Sequence, residues 1–370
     1  MFYPPPPTSM KHYTFFIWQP YLCPHTIPWA EGLIKDERVK DVFYIVPEKN
    51  IEERVNLGWN TDEFIEDNSV KYILDPDDKK LQEIYATDTG NAIHVYHGLV
   101  CFKKMDHYYK FGLKYNIRRW LTQEPPYVYK KPLWMHFINF YIRDYRYYKY
   151  IEKVFAIGEL SVYYYKNVFP KKEVIPFFYS TKKPVEIKEP VYRFTNKVNM
   201  VFVGNLCHRK NVSFLLNEMQ GLSAEAFNLD IIGNGEELEL LKKKAQYLKI
   251  NEMVNFRGAL PLSRVYMELF NYDVLLLPSI HDGWGAVVNE ALMRGLYVLC
   301  SDHCGAKCLC IEPNNGNVFP LKHNRLRKML LDIQKNMGLI REGRSARIEW
   351  SHRIEGESAA KIMLDSIDKN

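Results

Sequence analysis

Between Asp273 and Leu292 the chain reads DVLLLPSIHDGWGAVVNEAL, and this stretch restricts the fold more than any other. Val274 to Leu277 form a short, unbroken apolar run with the length and composition of a buried parallel strand. The run stops at Pro278 and crosses a polar, glycine-containing loop from Ser279 to Gly285. A helical pattern starts near Ala286. That order places backbone N–H groups at a helix start beside glycines, where an anion can approach the main chain. Asp282 in the loop and Glu290 one turn into the helix stand either side, with seven residues between them. Amides for an anion and carboxylates for hydroxyls suit a sugar nucleotide.

The rest of the chain repeats the strand-then-helix rhythm. At 370 residues it is long enough for two separate cores. HYTFFIW (12–18) reads as a first strand, QPYLCPHTIP as its loop, a helix follows over about 29–35, and DVFYIV (41–46) is the next strand. This βαβ opening is Rossmann-like without a G-x-G-x-x-G. Further strand-like runs stand at 71–74, 92–95, 154–158 and 174–179, with a helix over 159–167. The stretch 181–197 is charged, proline-containing and without apolar period, which marks a linker. Beyond it, strands at 199–204, 229–233, 254–260, 274–277 and 297–300 alternate with helices, among them 212–219, 322–336 and 352–368. The pattern predicts two doubly wound α/β domains: 11–180, after a disordered proline-rich start at 1–10, and 198–350, with a last helix over 351–370.

Candidate site residues follow the strand ends. Gly204 closes the 199–204 strand, and Arg209 and Lys210 stand at the entry of the next helix. Cations there oppose the helix dipole but serve an anion, a conflict that signals function. His97 lies just past the 92–95 strand, where ligands gather in α/β domains, with His94 as second choice. Asp75-Pro76-Asp77-Asp78 offers an Asp-x-Asp, but the proline and the flanking lysines make it a solvated turn.

The Asp282–Glu290 segment resembles the acid-x7-acid signature of retaining glycosyltransferases of family 4, which adopt the GT-B fold. The family usually has Glu-Gly-Phe-Gly at the first acid; here it is Asp282-Gly283-Trp284-Gly285, while Glu290-Ala291 is unchanged. The family's Gly-Arg-Leu-x-x-x-Lys-Gly keeps Gly204, Leu206 and Lys210, with Asn205 at the arginine and Asn211 at the second glycine. Gly305-Ala306 also matches, and the resemblance is densest over 199–317. It implies two Rossmann-like domains facing each other across a cleft, and retaining, metal-independent hexosyl transfer from a nucleotide sugar. Lys210, with Arg209 replacing the lost arginine, would bind the pyrophosphate. Glu290 would take the ribose hydroxyls, Asp282 a sugar hydroxyl, and His97 the sugar from the opposite domain. The base would be read near Arg257, and His25 and Thr26 of the first loop would reach the cleft. The departing phosphate would take the acceptor's proton, the last helix would return across the first domain, and no cofactor is needed.

Net charge is only +6, but its distribution is uneven. Residues 41–100 carry 5 basic and 13 acidic side chains; residues 101–172 carry 15 basic and 5 acidic, with half of the 26 tyrosines. A helix over about 134–150 would set Trp134, Phe137, Ile138, Tyr141 and Tyr145 on one face and Arg143, Arg146 and Lys149 toward another. Such a segment is either a core helix with a solvated rim or a face for an anionic membrane surface. No apolar run approaches the roughly 20 residues of a membrane span, and the start lacks signal-peptide features. Seven unpaired-looking cysteines fit a reducing cytoplasm, and His303, Cys304, Cys308 and Cys310 do not have zinc-ligand spacing. The expected partners are a nucleotide-sugar donor and a glycan or lipid-linked acceptor of bacterial surface polysaccharide synthesis, at the inner membrane face, without nucleic acid. A GT-B fold sugar-nucleotide epimerase, a degenerate binding subunit and a two-domain oxidoreductase remain as other readings.

Overall fold

The computed structural model describes residues 12–50, 69–87, 90–99, 102–128, 131–182, 195–312 and 314–367. The proline-rich start and most of the charged linker lie outside the described residues. Within them the strands form two sheets, and every pairing is parallel.

The first sheet has seven strands in the order β3-β2-β1-β4-β5-β6-β7. They are Tyr13–Trp18 (β1), Val39–Val46 (β2), Lys71–Leu74 (β3), Ala92–His97 (β4), Arg118–Gln123 (β5), Lys153–Ile157 (β6) and Glu173–Phe177 (β7). In β1 successive side chains go to opposite faces, and both faces are covered, which is why the run is apolar throughout. Phe15 and Ile17 join one core, while Phe16 and Trp18 join an aromatic second core with Tyr85, Tyr96 and Tyr109. The second sheet has six strands in the order β10-β9-β8-β11-β12-β13. These are Val198–Val203 (β8), Phe227–Ile232 (β9), Val254–Gly258 (β10), Val274–Leu277 (β11), Tyr297–Ser301 (β12) and Gly316–Phe319 (β13). The Val274–Leu277 run, fully buried, is a central strand between β8 and β12.

In each sheet the strand order reverses once near the middle, between β1 and β4 and between β8 and β11. Ligands of open parallel sheets collect outside the carboxyl ends at such reversals. The two sheets turn these ends toward one another. The C-terminal helix, Gly356–Asp365, packs on the helix Ile27–Ile34 beside the first sheet. Contact is close because a Cβ on Gly356 would fall on the Pro28 carbonyl, and one on Gly32 would lie 2.8 Å from the Gly356 carbonyl. Thr181 pairs with Glu355, so the outgoing and returning chains cross side by side.

Several elements depart from the sequence reading. β5, RRWLTQ, carries too many polar residues to stand out, and β13 is short and begins at a glycine, a residue that more often ends a strand than starts one. Helices at Asp78–Ala86, Lys103–Gly112, Leu262–Glu268, Met337–Glu342 and Arg344–Ser351 were also not anticipated. The Asp75–Asp78 turn starts the first of these, Asp77 accepting from the Lys80 amide at 2.7 Å. The expected helix over 134–150 runs as Leu133–Asn139, a π-helical turn Phe140–Asp144, and Tyr145–Tyr148. Its buried side is Phe140 and Tyr148, with Phe137 stacked on Tyr164. Trp134, Ile138, Tyr141 and Tyr145 point outward instead. Apolar residues on both sides left the choice of face open, and the wider π turn shifts the 3.6-residue register.

Candidate functional site

Between the two sets of strand ends lies a cleft of about 460 Å³. From the second sheet it receives the β8 turn (Gly204, Asn205, Arg209, Lys210) and the β11 loop (Asp282, Gly283, Gly285, Glu290); from the first, His25, His97, Glu124 and Tyr179.

The β8 and β11 loops are laced together. The Ile280 amide donates to the Arg209 carbonyl at 2.8 Å, and Asn211 donates through its side chain to the Pro278 carbonyl at 3.2 Å. Asn211 has φ +54° and ψ +39°, the left-handed region that glycine and asparagine tolerate best. Its departure from the family glycine therefore preserves the turn. Lys210, nearly buried, donates to Asp282 Oδ2 at 2.5 Å; Arg209 approaches Oδ1 at 3.3 Å; and Ser279 donates to Oδ2 at 3.1 Å. Burial pushes the Asp282 carboxyl up, but the two cations and these hydrogen bonds outweigh it and hold it below the ordinary carboxylate value. In this arrangement the carboxylate is the anchor of two cations.

Glu290 is buried one turn further, its Oε1 3.8 Å from His25 Nε2 across the cleft. Burial raises its pKa to about 7, and only the Lys210 charge opposes that. Gly283 and Gly285 line the cleft with their loop, and among the described residues nothing accepts from their amides. His97 is set by hydrogen-bond contacts from Nδ1 to Thr122 at 3.3 Å and from Nε2 to the Tyr179 hydroxyl at 3.4 Å. Burial lowers its pKa to about 4, so it is neutral at pH 7.

Four residues named from the sequence lie away from the cleft. The Trp284 side chain is buried and donates from its indole to Asn289 at 2.8 Å; Asn289 in turn donates to the Tyr179 carbonyl at 2.7 Å. It thus ties the loop to the first domain. Arg257 turns onto Asp230, 2.7 Å away, and leaves Ala259 and Leu260 as the cleft lining on that side. Thr26 is buried against the Tyr44 hydroxyl at 2.5 Å. His94, the second choice to His97, sits in the aromatic core, where the Trp18 indole donates to its Nδ1 at 3.1 Å and burial lowers its pKa to about 3. Cys300, Cys304 and Cys310 are buried around the loop, with Cys304 donating to the Trp284 carbonyl at 3.0 Å.

Sequence reasoning missed Glu124, Tyr127, Tyr179 and His281. Glu124, just beyond β5, presses its carboxylate on Gly283, leaving no room there for a Cβ. Tyr127 meets His281 edge to face, ring centroids 4.7 Å apart. His281 stands directly before Asp282 in the signature loop, and that adjacency was its signal; the other three belong to no motif, and only the unread strand β5 would have pointed at Glu124. A second cavity of about 350 Å³ shares His281, Asp282 and Gly283 with the cleft. Pro125, Gly158, Leu160, Tyr163, His303 and Lys307 are among its remaining walls. Gly158, where the first domain passes over Gly283 and Gly305, adopts φ +85°, a backbone conformation that favours glycine.

Residues 185–345 match the family of glycosyl transferases group 1. An uncharacterized glycosyltransferase of Haemophilus influenzae is 33% identical over 159 residues, which are 40% of this chain and 42% of that protein. The match thus spans less than half of that relative's length. Whole-chain likeness comes from structures. HepE of Anabaena, in complex with UDP, superposes with a TM-score of 0.70 at 10% identity, covering 97% of this chain and 100% of that one. The lipopolysaccharide outer core galactosyltransferase WaaB superposes with a TM-score of 0.67 at 15% identity, covering 96% and 99%. The chain has the two-domain GT-B fold.

Proposed function

We propose that this chain is a retaining glycosyltransferase that moves a hexose from a nucleotide sugar to a glycan or lipid-linked acceptor. The observation that carries the reading is the pair Arg209 and Lys210, clamped on Asp282 at the edge of the cleft beside the Gly283 and Gly285 amides. Two fixed cations and two amides suit a diphosphate and stabilise the charge that grows on it as it leaves. Glu290, deeper in the same wall, takes the two ribose hydroxyls, and a carboxylate can accept both at once. The base lies along Ala259 and Leu260. His97, neutral at pH 7, faces the sugar from the first domain without adding charge.

The acceptor comes from the second cavity, past Glu124 at its junction with the cleft. Its oxygen forms a bond to the sugar's anomeric carbon as the bond to the phosphate breaks, and its proton passes to the leaving phosphate. The new bond forms on the face the phosphate leaves, so configuration is retained and no protein nucleophile or metal is used. The superposition on WaaB supports a place in bacterial surface polysaccharide synthesis, such as capsule, O-antigen or lipopolysaccharide. The test is free nucleotide release from a panel of UDP-, GDP-, ADP- and dTDP-sugars, with a bacterial lipid and polysaccharide extract as acceptor source. Release from at least one donor is expected. No release from any donor, with or without extract, overturns the reading.

A further inference from the structure

The helix Leu133–Tyr148 is apolar on its outer face as well as its inner one. Inside, Phe140 is buried against Phe169, their ring centroids 5.2 Å apart. Outside, Trp134 is 61% exposed, Ile138 48%, Tyr141 52%, Ile142 77% and Tyr145 44%. A surface helix ordinarily turns polar residues outward, and a contiguous apolar patch of this kind marks an interaction site. Cations border the stripe: Arg143, Arg146 and Lys149 on the same stretch and Lys131 at its start are all exposed. Arg143 is held by Asp144 at 2.5 Å, whereas Arg146 and Lys149 lie over tyrosine rings and make no ion pair among the described residues. Part of the basic segment is paired with carboxylates of the same domain, as in the exposed Lys104–Asp75 and the half-buried Arg118–Glu152, but Arg146 and Lys149 are not.

We propose that this outer face docks the protein flat on an anionic lipid bilayer. Tryptophan and tyrosine favour the headgroup level, where one end of the ring is wet and the other apolar. Ile138 and Ile142 would enter the acyl boundary while arginine and lysine meet lipid phosphates. A second copy of the chain fits the face poorly, because a twofold contact would bring the same cations together. Among the described residues no helix is long and apolar enough to cross a membrane. The helix Glu159–Val168 connects this face to the site: Tyr163 lines the second cavity, Tyr164 stacks on Phe137, and the Asn167 carbonyl accepts from the Tyr141 hydroxyl at 3.4 Å. If the transferase reading holds, on which this last step rests, the acceptor is lipid-linked and its head enters from the bilayer through that cavity.

The test is cosedimentation with vesicles. Wild-type protein should pellet with equimolar phosphatidylglycerol and phosphatidylcholine at low salt, stay in solution with phosphatidylcholine alone, and be released as salt rises. The triple change Trp134→Ser, Ile138→Ser, Ile142→Ser should weaken partition at least about tenfold with an unaltered melting curve, since all three side chains are exposed. Wild type remaining in the supernatant at low salt, or the triple variant pelleting as wild type, overturns the proposal. So does a wild-type dimer in velocity sedimentation that the triple variant dissociates without vesicle binding. Nucleotide release in solution needs no bilayer. Its loss with docking intact would therefore strike the transferase reading alone, and the reverse would strike docking alone.

Discussion

Glu290 carries two opposed demands, and they can be separated by pH. Lys210, His25 and Tyr266 are its charged and titratable neighbours, and burial dominates, lifting its pKa from 4.5 to about 7. Folding thus raises this acid's proton affinity, so its contribution to stability is full below pH 4.5 and is lost as pH climbs through about 7. Glu290→Gln mimics the protonated form. In chemical denaturation it should match wild type near pH 4.5 and exceed it at pH 8 by up to about 3 kcal/mol. Nucleotide release should fall at least about tenfold, since each lost charge-assisted bond is worth roughly 1.5–3 kcal/mol. A constant stability difference across pH would contradict the buried placement. At this scale the motif residues were legible because their spacing is local: Lys210, Asp282, Gly283, Gly285 and Glu290 all line one cleft. The direction of a side chain was not. Trp284 and Arg257 sit in the right turns and point away, and Asp282 spends its oxygens on cations.

At the scale of elements, strands buried on both faces announced themselves. Val274–Leu277 and the helix Val212–Met219 lie where the sequence placed them, because an unbroken apolar run and an amphipathic period have few other uses. Half-polar β5 and the π-containing helix were hidden for the opposite reason: neither keeps a single period. The return of the last helix onto Ile27–Ile34 depends on two glycines meeting across 324 positions of chain, a pairing that local pattern cannot show. Gly356→Ala places a methyl on the Pro28 carbonyl, backbone that cannot swing aside, and should cost roughly 1–3 kcal/mol in urea unfolding. Gly338→Ala, with nothing within 4 Å, should be neutral or mildly stabilising. Equal effects of the two changes would mean that the helix contact is not as close as the structure has it.

For the molecule as a whole, the cleft exists because two parallel sheets face each other with the carboxyl ends at their reversal points. Neither sheet completes the site: one supplies cations, amides and Glu290, the other His97, Glu124 and Tyr179. Sequence could place the nucleotide half, whose residues share two loops, but the facing half is assembled from strand ends far apart in the chain. The central claim is that the cleft holds a nucleoside diphosphate by its phosphates. Calorimetric titration of UDP and of uridine into wild type and into Lys210→Ala tests it. Wild type should bind UDP more tightly than uridine, and Lys210→Ala should weaken UDP at least about tenfold while leaving uridine unchanged, the loss of one charge-assisted contact to phosphate. Equal loss for both ligands, or no preference for UDP in wild type, would contradict the account.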